Sequence, residues 1–302
     1  MKIQDICAIA EQKGCTVQLN KELKDYTTFK IGGVCPAIIE ISSAEALGEL
    51  VKLCIDNSIK YLVLGKGSNI LLDDKGFNGI VFHIGNDFAE IKMLDDTTIE
   101  VEAGCSLMKL CRFALEHSLT GLEFAYGIPG TVGGAIYMNA GAYGGEIKDV
   151  LVSAECIEPD GSVVAYTNNK MDLSYRHSAF QTNGSLITKG VFKLSAGNKD
   201  EILAKMNELM GKRKDKQPLE YPNAGSTFKR PEGQFAGKLI QDCGLKGYSV
   251  GGAMVSDKHS GFVINYNNAS SDDVKKLIEY VQKTVKEKTG YFLECEVRII
   301  DY

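Results

Sequence analysis

Apolar positions along the chain switch between short continuous runs and stripes at helical spacing, the pattern of a protein that mixes strands with amphipathic helices. Ser42-Ser43-Ala44-Glu45 has the form of a capping box and predicts a helix from there to about Cys54, with Ala46, Leu47, Leu50 and Val51 on one face. Tyr61-Leu62-Val63-Leu64 predicts a buried strand that runs directly into Gly65-Lys66-Gly67-Ser68-Asn69. Ile80-Val81-Phe82 and Ile99-Glu100-Val101 predict further strands. Leu107, Leu110, Cys111, Ala114 and Leu115 form a second helical stripe. Segments 151–158, 163–166 and 186–194 read as strands, separated by turn residues such as Pro159-Asp160-Gly161. A helix carrying Ile202, Leu203, Met206, Leu209 and Met210 breaks at Pro218. A longer one spans about Ser271 to Lys288, with Val274, Leu277, Ile278, Val281 and Val285 inward and Gly290 as its stop. Polar and apolar residues alternate from Glu294 to Ile300, which predicts a closing strand.

Length and charge narrow the reading. At 302 residues the chain exceeds one minimal core, so two or three lobes are expected, with segment 195–201 the best boundary. A net charge of −5 argues against a nucleic-acid partner, and the densest basic run, Lys212-Arg213-Lys214, reads as a solvated helix end. The start, Met-Lys-Ile-Gln-Asp-Ile, lacks the apolar region of a signal peptide. No apolar stretch approaches the roughly 20 residues that membrane insertion needs. Nine cysteines without a Cys-x-x-Cys pair suit free thiols in a reducing cytoplasm. The four histidines (His83, His117, His177 and His259) lie far apart, so no local metal motif exists and no metal is expected.

Glycine then concentrates beyond what turns require. One segment is Leu64-Gly65-Lys66-Gly67-Ser68-Asn69-Ile70. The other is Gly127-Ile128-Pro129-Gly130-Thr131-Val132-Gly133-Gly134-Ala135, continued by Asn139-Ala140-Gly141-Ala142-Tyr143-Gly144-Gly145. Glycine lets a backbone turn and approach a ligand closely, and nests of amide N–H groups bind pyrophosphate without many cations. Neither segment has Rossmann or Walker spacing: the third glycine after Gly65-Lys66-Gly67 is missing, and Lys66 lacks the preceding Gly-x-x-x-x. Each alone reads equally well as a tight connection; two together favour a dinucleotide.

On these residues the chain resembles the UDP-N-acetylenolpyruvoylglucosamine reductases. The matching blocks are Thr28-Phe29-Lys30-Ile31-Gly32-Gly33, the two glycine segments, Tyr175-Arg176-His177-Ser178, Ala224-Gly225-Ser226-Thr227-Phe228-Lys229 and Glu296-Val297-Arg298-Ile299-Ile300. They follow the family's order and cover nearly the whole chain. The resemblance implies an α+β fold: a two-lobed FAD-binding domain of the vanillyl-alcohol-oxidase/PCMH type over residues 1–197 (lobes about 1–94 and 95–197), then a smaller α+β substrate-binding domain over 198–302. With no His in the glycine segments, the FAD is expected to be non-covalent. Its expected contacts are Gly65, Lys66, Gly67, Ser68, Asn69, Ile70, Gly130, Thr131, Gly133, Gly134, Ala135, Asn139 and Gly141. The compact run from Ser226 to Val263 lacks a Tyr-bearing insertion, which resembles the family's shorter, second type.

The implied reaction has two halves. NADPH reduces the flavin and leaves; the enolpyruvyl ether of UDP-N-acetylglucosamine then takes the hydride at its terminal carbon, and UDP-N-acetylmuramate results. Charge develops on the neighbouring carbon and its carboxylate, and the protein must stabilise it and supply a proton. Ser226 matches the family's proton donor, Arg176 the residue that polarises the carboxylate, and Glu296 the acidic partner near the same carbon. Read without the resemblance, Ser226 is a turn serine, Arg176 a surface or ion-paired arginine, and Glu294 as good a candidate as Glu296. Tyr175, Asn223 and Arg298 are implied on the substrate side, and Lys214 or Lys216 at its diphosphate. Arg230 stands where many relatives have Asn, so that position's contact is open. The expected state is a cytoplasmic monomer whose partners are the sugar nucleotide and NADPH. The competing readings are a flavin oxidase acting on an alcohol or hydroxy acid, and a non-catalytic nucleotide-binding module.

Overall fold

The computed structural model describes all 302 residues, and they gather into two compact units. The first comprises residues 1–19, 37–66 and 79–212; the second comprises 20–36, 67–78 and 213–302. The units are therefore not contiguous in sequence. Two early segments fold with the C-terminal third, and the last change of unit falls inside the helix Lys199–Lys216, beyond the 195–201 boundary expected from sequence. At that boundary the chain is ordered: Ser195–Ala196 pairs with Leu119–Thr120.

The first unit holds two cores. In one, Ile80–His83 lies between Val34–Glu40 and Tyr61–Leu64 and pairs with both in parallel. The helices Ile3–Gln12 and Ala44–Asp56 bury Ile6, Ala10, Leu47, Leu50 and Cys54 against Ile39, Ile80 and Phe82. Ser43 caps the second helix by accepting from Ala46 N at 3.1 Å, one residue later than the expected capping box. In the other core, five antiparallel strands run in the order Val163–Thr167, Leu151–Ile157, Leu186–Lys193, Thr98–Glu102, Ile91–Asp95. The helices Leu107–Glu116 and Val132–Tyr137 cover this sheet through Leu107, Leu110, Val132 and Ile136. Strand Ile91–Asp95 belongs to this second sheet, so the change of lobe comes before residue 91.

The second unit is built on the helix Ser271–Thr289. Ser270 and Asp273 form its capping box, Gly290 ends it at φ +78°, and Val274, Leu277, Ile278, Val281 and Val285 are all buried as the stripe predicts. A three-stranded antiparallel sheet, Ser249–Val250, Ala253–Val255 and Val263–Asn265, and the short helix Ala236–Asp242 share its core with Phe29, Leu71 and Phe228. The closing strand is shorter than its alternation suggests: only Arg298–Ile300 is regular, paired in parallel with Ile70–Leu72.

Candidate active site

In the first unit the strand Tyr61–Leu64 delivers Gly65 to the second glycine segment. A side chain on Gly65 would run into the Thr131 hydroxyl and methyl, so the two segments meet only because this residue is glycine. Thr131 caps the helix Val132–Tyr137 by accepting from Gly134 N at 3.3 Å, and Val132 N donates to Cys105 O at 2.8 Å. The glycines then divide by role. Gly133 serves packing: its N donates to Ala103 O, and a methyl there would sit 2.9 Å from Ala103 Cβ. Gly134 is exposed, with open space beside it except for Thr131 Oγ1. Gly130 gives its carbonyl to Leu107 N at 3.1 Å, and Ala135 is buried in the core.

Both segments offer the chemistry a dinucleotide needs. Neither 65–70 nor 127–135 contains a carboxylate; the available groups are backbone amides, the Ser68 and Thr131 hydroxyls, the Asn69 amide and the exposed Lys66. Such a donor set fits the pyrophosphate of FAD.

A third group in the same unit surrounds Arg176. The residue has φ +55°, its Nη2 donates to Gly141 O at 2.9 Å, and its guanidinium lies 5.1 Å from the centre of the exposed Tyr175 ring. Ser174 and His177 exchange backbone hydrogen bonds and close the turn. Gln181 Nε2 donates to Arg176 O and Tyr137 O, a support that no sequence pattern signals. Asn139 is fully buried. Its Nδ2 donates to Glu146 Oε2 and Ser174 O, and its Oδ1 accepts from Lys148 N. The amide is committed to the protein, so Asn139 shapes the loop, and its side chain is not turned outward for a ligand.

In the second unit, Gly67 (φ +59°) packs where a side chain would strike Tyr26 O, and Thr28 N donates to Gly67 O at 3.2 Å. Asn69 ties this stretch to the chain's end: its O accepts from Arg298 N at 3.0 Å and its Nδ2 donates to Glu296 O at 3.2 Å. Ile70 then stands opposite Arg298 in the parallel pair.

The same unit sets Thr227, the residue after Ser226, opposite Glu296. Segment 227–229 runs antiparallel to 294–296: Glu296 N donates to Thr227 O, Phe228 bridges Cys295, and Lys229 N donates to Glu294 O. Thr227 is buried and pinned from the other side. Its N donates to Gly261 O at 2.8 Å, and its Oγ1 accepts from Val263 N at 2.9 Å. Upstream, Asn223 Oδ1 accepts from Gly225 N (φ +78°), while Thr28 Oγ1 donates to Asn223 O at 2.7 Å. Glu294 and Glu296 separate here. Glu294 is exposed and held by Lys229 Nζ at 2.5 Å, whereas Glu296 is half-buried on the segment facing Thr227.

Charge and titration complete the geometry. His259 Nδ1 accepts from Gly261 N at 3.0 Å; burial, and then the charge of Lys216, hold its imidazole below the ordinary value of 6.5. Burial likewise pushes the Cys295 thiol up. The Arg230 guanidinium lies over the exposed Phe235 ring, 4.5 Å from its centre. Arg213 corrects the reading of 212–214 as a solvated helix end: it is 5% exposed and continues the buried face of Ile202, Met206 and Leu209, while Leu203 points outward.

Comparison with known proteins agrees across the chain. A family described as "FAD binding domain" matches residues 35–167, and one described as "UDP-N-acetylenolpyruvoylglucosamine reductase, C-terminal domain" matches 217–300. The chain is 48% identical over 282 residues to the UDP-N-acetylenolpyruvoylglucosamine reductase of Caldanaerobacter subterraneus subsp. tengcongensis, and 49% identical over 294 residues to that of Agathobacter rectalis, with 93% of each chain covered in both cases. The crystal structure of the Thermus caldophilus reductase is similar with a TM-score of 0.79 at 36% identity, over 94% of this chain and 98% of that one.

Proposed function

The chain belongs to the UDP-N-acetylenolpyruvoylglucosamine reductase family, and from that membership we propose how its own residues carry the family's reaction. It is a flavin-dependent oxidoreductase, a UDP-N-acetylmuramate dehydrogenase, that uses FAD and NADPH to reduce the enolpyruvyl ether of UDP-N-acetylglucosamine to UDP-N-acetylmuramate for peptidoglycan synthesis. FAD, once reduced by NADPH, supplies the hydride that the terminal enolpyruvyl carbon receives.

The protein's task is charge and proton handling. Arg176 is the group that receives the charge developing on the substrate carboxylate, since a guanidinium stays ionised and one of its nitrogens, Nη2, is held by Gly141 O. Ser226 Oγ gives the proton to the adjacent carbon. A serine hydroxyl is a weak acid, so its placement matters most, and Asn223, Gly225 and Thr227 hold the backbone on both sides of it. Glu296, half-buried on the facing segment, is the acidic partner at that carbon. The observation that carries this reading is the pairing of 227–229 with 294–296. Tyr175 and Arg298 are assigned to the substrate, and Lys214 or Lys216 to its diphosphate.

Flavin binding is assigned to residues 1–197 and substrate binding to 198–302, with 20–36 and 67–78 lent to the second unit. Gly65, Lys66, Gly67, Ser68, Asn69 and Ile70, with Gly130, Thr131, Gly134 and Gly141, are assigned to the binding of a non-covalent FAD. Nine free thiols suit work in the cytoplasm, and the enzyme is proposed to act as a 32.9 kDa monomer. The purified protein is expected to be yellow and to consume NADPH only when the enolpyruvyl sugar nucleotide is present. NADPH oxidation driven by oxygen alone, or a colourless protein, would favour the oxidase or the non-catalytic reading.

A further inference from the structure

Within the first unit, the turn bearing Arg176 rests on a small polar assembly whose carboxylate, Glu146, has no role in the reaction as described. Gly141–Ala142 and Gly145–Glu146 form a two-residue antiparallel ladder in which Glu146 stands directly opposite Gly141, the residue whose carbonyl accepts from Arg176 Nη2. The approach is close: a methyl on Gly141 would lie 2.7 Å from Glu146 Cγ. Glu146 is fixed from two further sides. Its Oε2 accepts from the buried Asn139 Nδ2 at 3.0 Å, and its backbone N donates to Asp149 Oδ2 at 2.8 Å. The same Asn139 Nδ2 reaches Ser174 O, at the start of the Arg176 turn, so one amide joins carboxylate and turn. Burial opposes ionisation of Glu146, but Lys148, Asn139 and the charge of Arg176 outweigh it and hold the carboxyl below its ordinary value.

We propose that Glu146 is a positioning residue for Arg176: its carboxylate, held by Asn139, fixes the guanidinium in the orientation from which it receives charge developing on the substrate carboxylate. A guanidinium stabilises a transition state most when its donors are aimed beforehand and need not reorganise during the reaction. The hydrogen bond to Gly141 O orients one nitrogen, and a negative charge on the residue opposite Gly141 restrains the rest of the fork. The alternative role for Glu146 is as partner of Lys148 Nζ at 2.9 Å, with the lysine side chain 41% exposed; an ion pair of that kind contributes little. The proposal rests on the reading of Arg176 as the polarising arginine.

The test is a double-mutant cycle on the flavin-loaded enzyme, reading single-turnover reoxidation of the reduced flavin by the enolpyruvyl sugar nucleotide. Glu146→Gln keeps the shape and one acceptor. It is expected to slow reoxidation on the order of ten-fold, and Glu146→Asp, which keeps the charge, less than that. In an Arg176→Lys background, Glu146→Gln should add less than about two-fold, because the interaction it removes is already broken. Lys148→Met should leave the rate within about two-fold. Binding of UDP-N-acetylmuramate to the oxidised enzyme and the thermal midpoint give readouts independent of turnover. Weaker product binding by Glu146→Gln at an unchanged midpoint supports positioning. Three results overturn it: full slowing by Glu146→Gln in the Arg176→Lys background, the same slowing from Lys148→Met, or slowing that only tracks lost flavin and a lowered midpoint. If Arg176→Lys and Arg176→Ala both reoxidise at the parent rate, the reading of Arg176 falls first, and this proposal falls with it.

Discussion

Ser226 is set by its neighbours' backbones more than by any partner of its own hydroxyl. Asn223 Oδ1 holds Gly225 N before it; Thr227, after it, is bonded to Gly261, Val263 and Glu296. Replacing Ser226 with Ala removes the proton donor and leaves those bonds in place. Flavin reduction by NADPH should stay near the parent rate, while reoxidation by the enolpyruvyl substrate slows by about a hundred-fold. Rapid-mixing absorbance measurements of each half separately check this, and an equal fall in both would make Ser226 a binding or folding residue. At this scale the blocks around Arg176, Ser226 and Glu296 are legible in sequence as family motifs. The choice of Glu296 over Glu294 draws on burial as well, since alternation alone leaves both as polar positions of one strand. Asn139 lies inside a recognisable block, yet its role as an internal strut depends on Ser174, 35 residues away.

Elements were the most legible level, because helical stripes and caps are local. The helix Ser271–Thr289 matches its sequence reading almost residue for residue: cap, buried stripe and glycine stop are all encoded within a few positions of one another. Leu277 is wholly buried in the core of the second unit, so Leu277→Ala should cost about 3 kcal/mol through lost transfer energy and the cavity left behind. Urea unfolding followed by far-UV circular dichroism would register this as a lower midpoint at unchanged slope. The helix Lys199–Lys216 was harder to read. Its apolar residues Ile202, Leu203, Met206, Leu209 and Met210 read as one stripe, but only Ile202, Met206 and Leu209 of these are buried, and Arg213 joins them. A basic residue on the buried stripe masks the period that a hydrophobic count detects.

For the molecule as a whole, stability against acid should show a component from His259. Its imidazole is held below the ordinary 6.5 by burial and by Lys216, so between the folded value and about 6.5 the unfolded chain binds more protons than the folded one. Stability therefore rises with pH through that window and is lost as pH falls below about 6.5. Carboxylates held low, such as Asp73 and Asp273, contribute stability that is lost only as pH falls below their unfolded value of 3.8. Urea midpoints between about pH 5 and 7.5 should decline toward acid, and His259→Gln should flatten that decline. An unaltered slope in the variant would remove His259 as its source.

The amino-acid sequence alone determined the kinds of element, the two glycine segments with their non-Rossmann spacing, and the blocks that mark the family. All of these are written in residues close together along the chain. Tertiary structure decided where those pieces go. It split the first glycine segment so that Gly65 meets Thr131 in one unit, while Asn69 joins Glu296 in the other across 227 residues of sequence. It likewise brought Thr28 to Asn223, 195 residues on, to steady the turn before Ser226. Such pairings form because buried backbone groups must find partners and apolar faces must be covered, demands that many segments could meet locally and only the packed chain resolves.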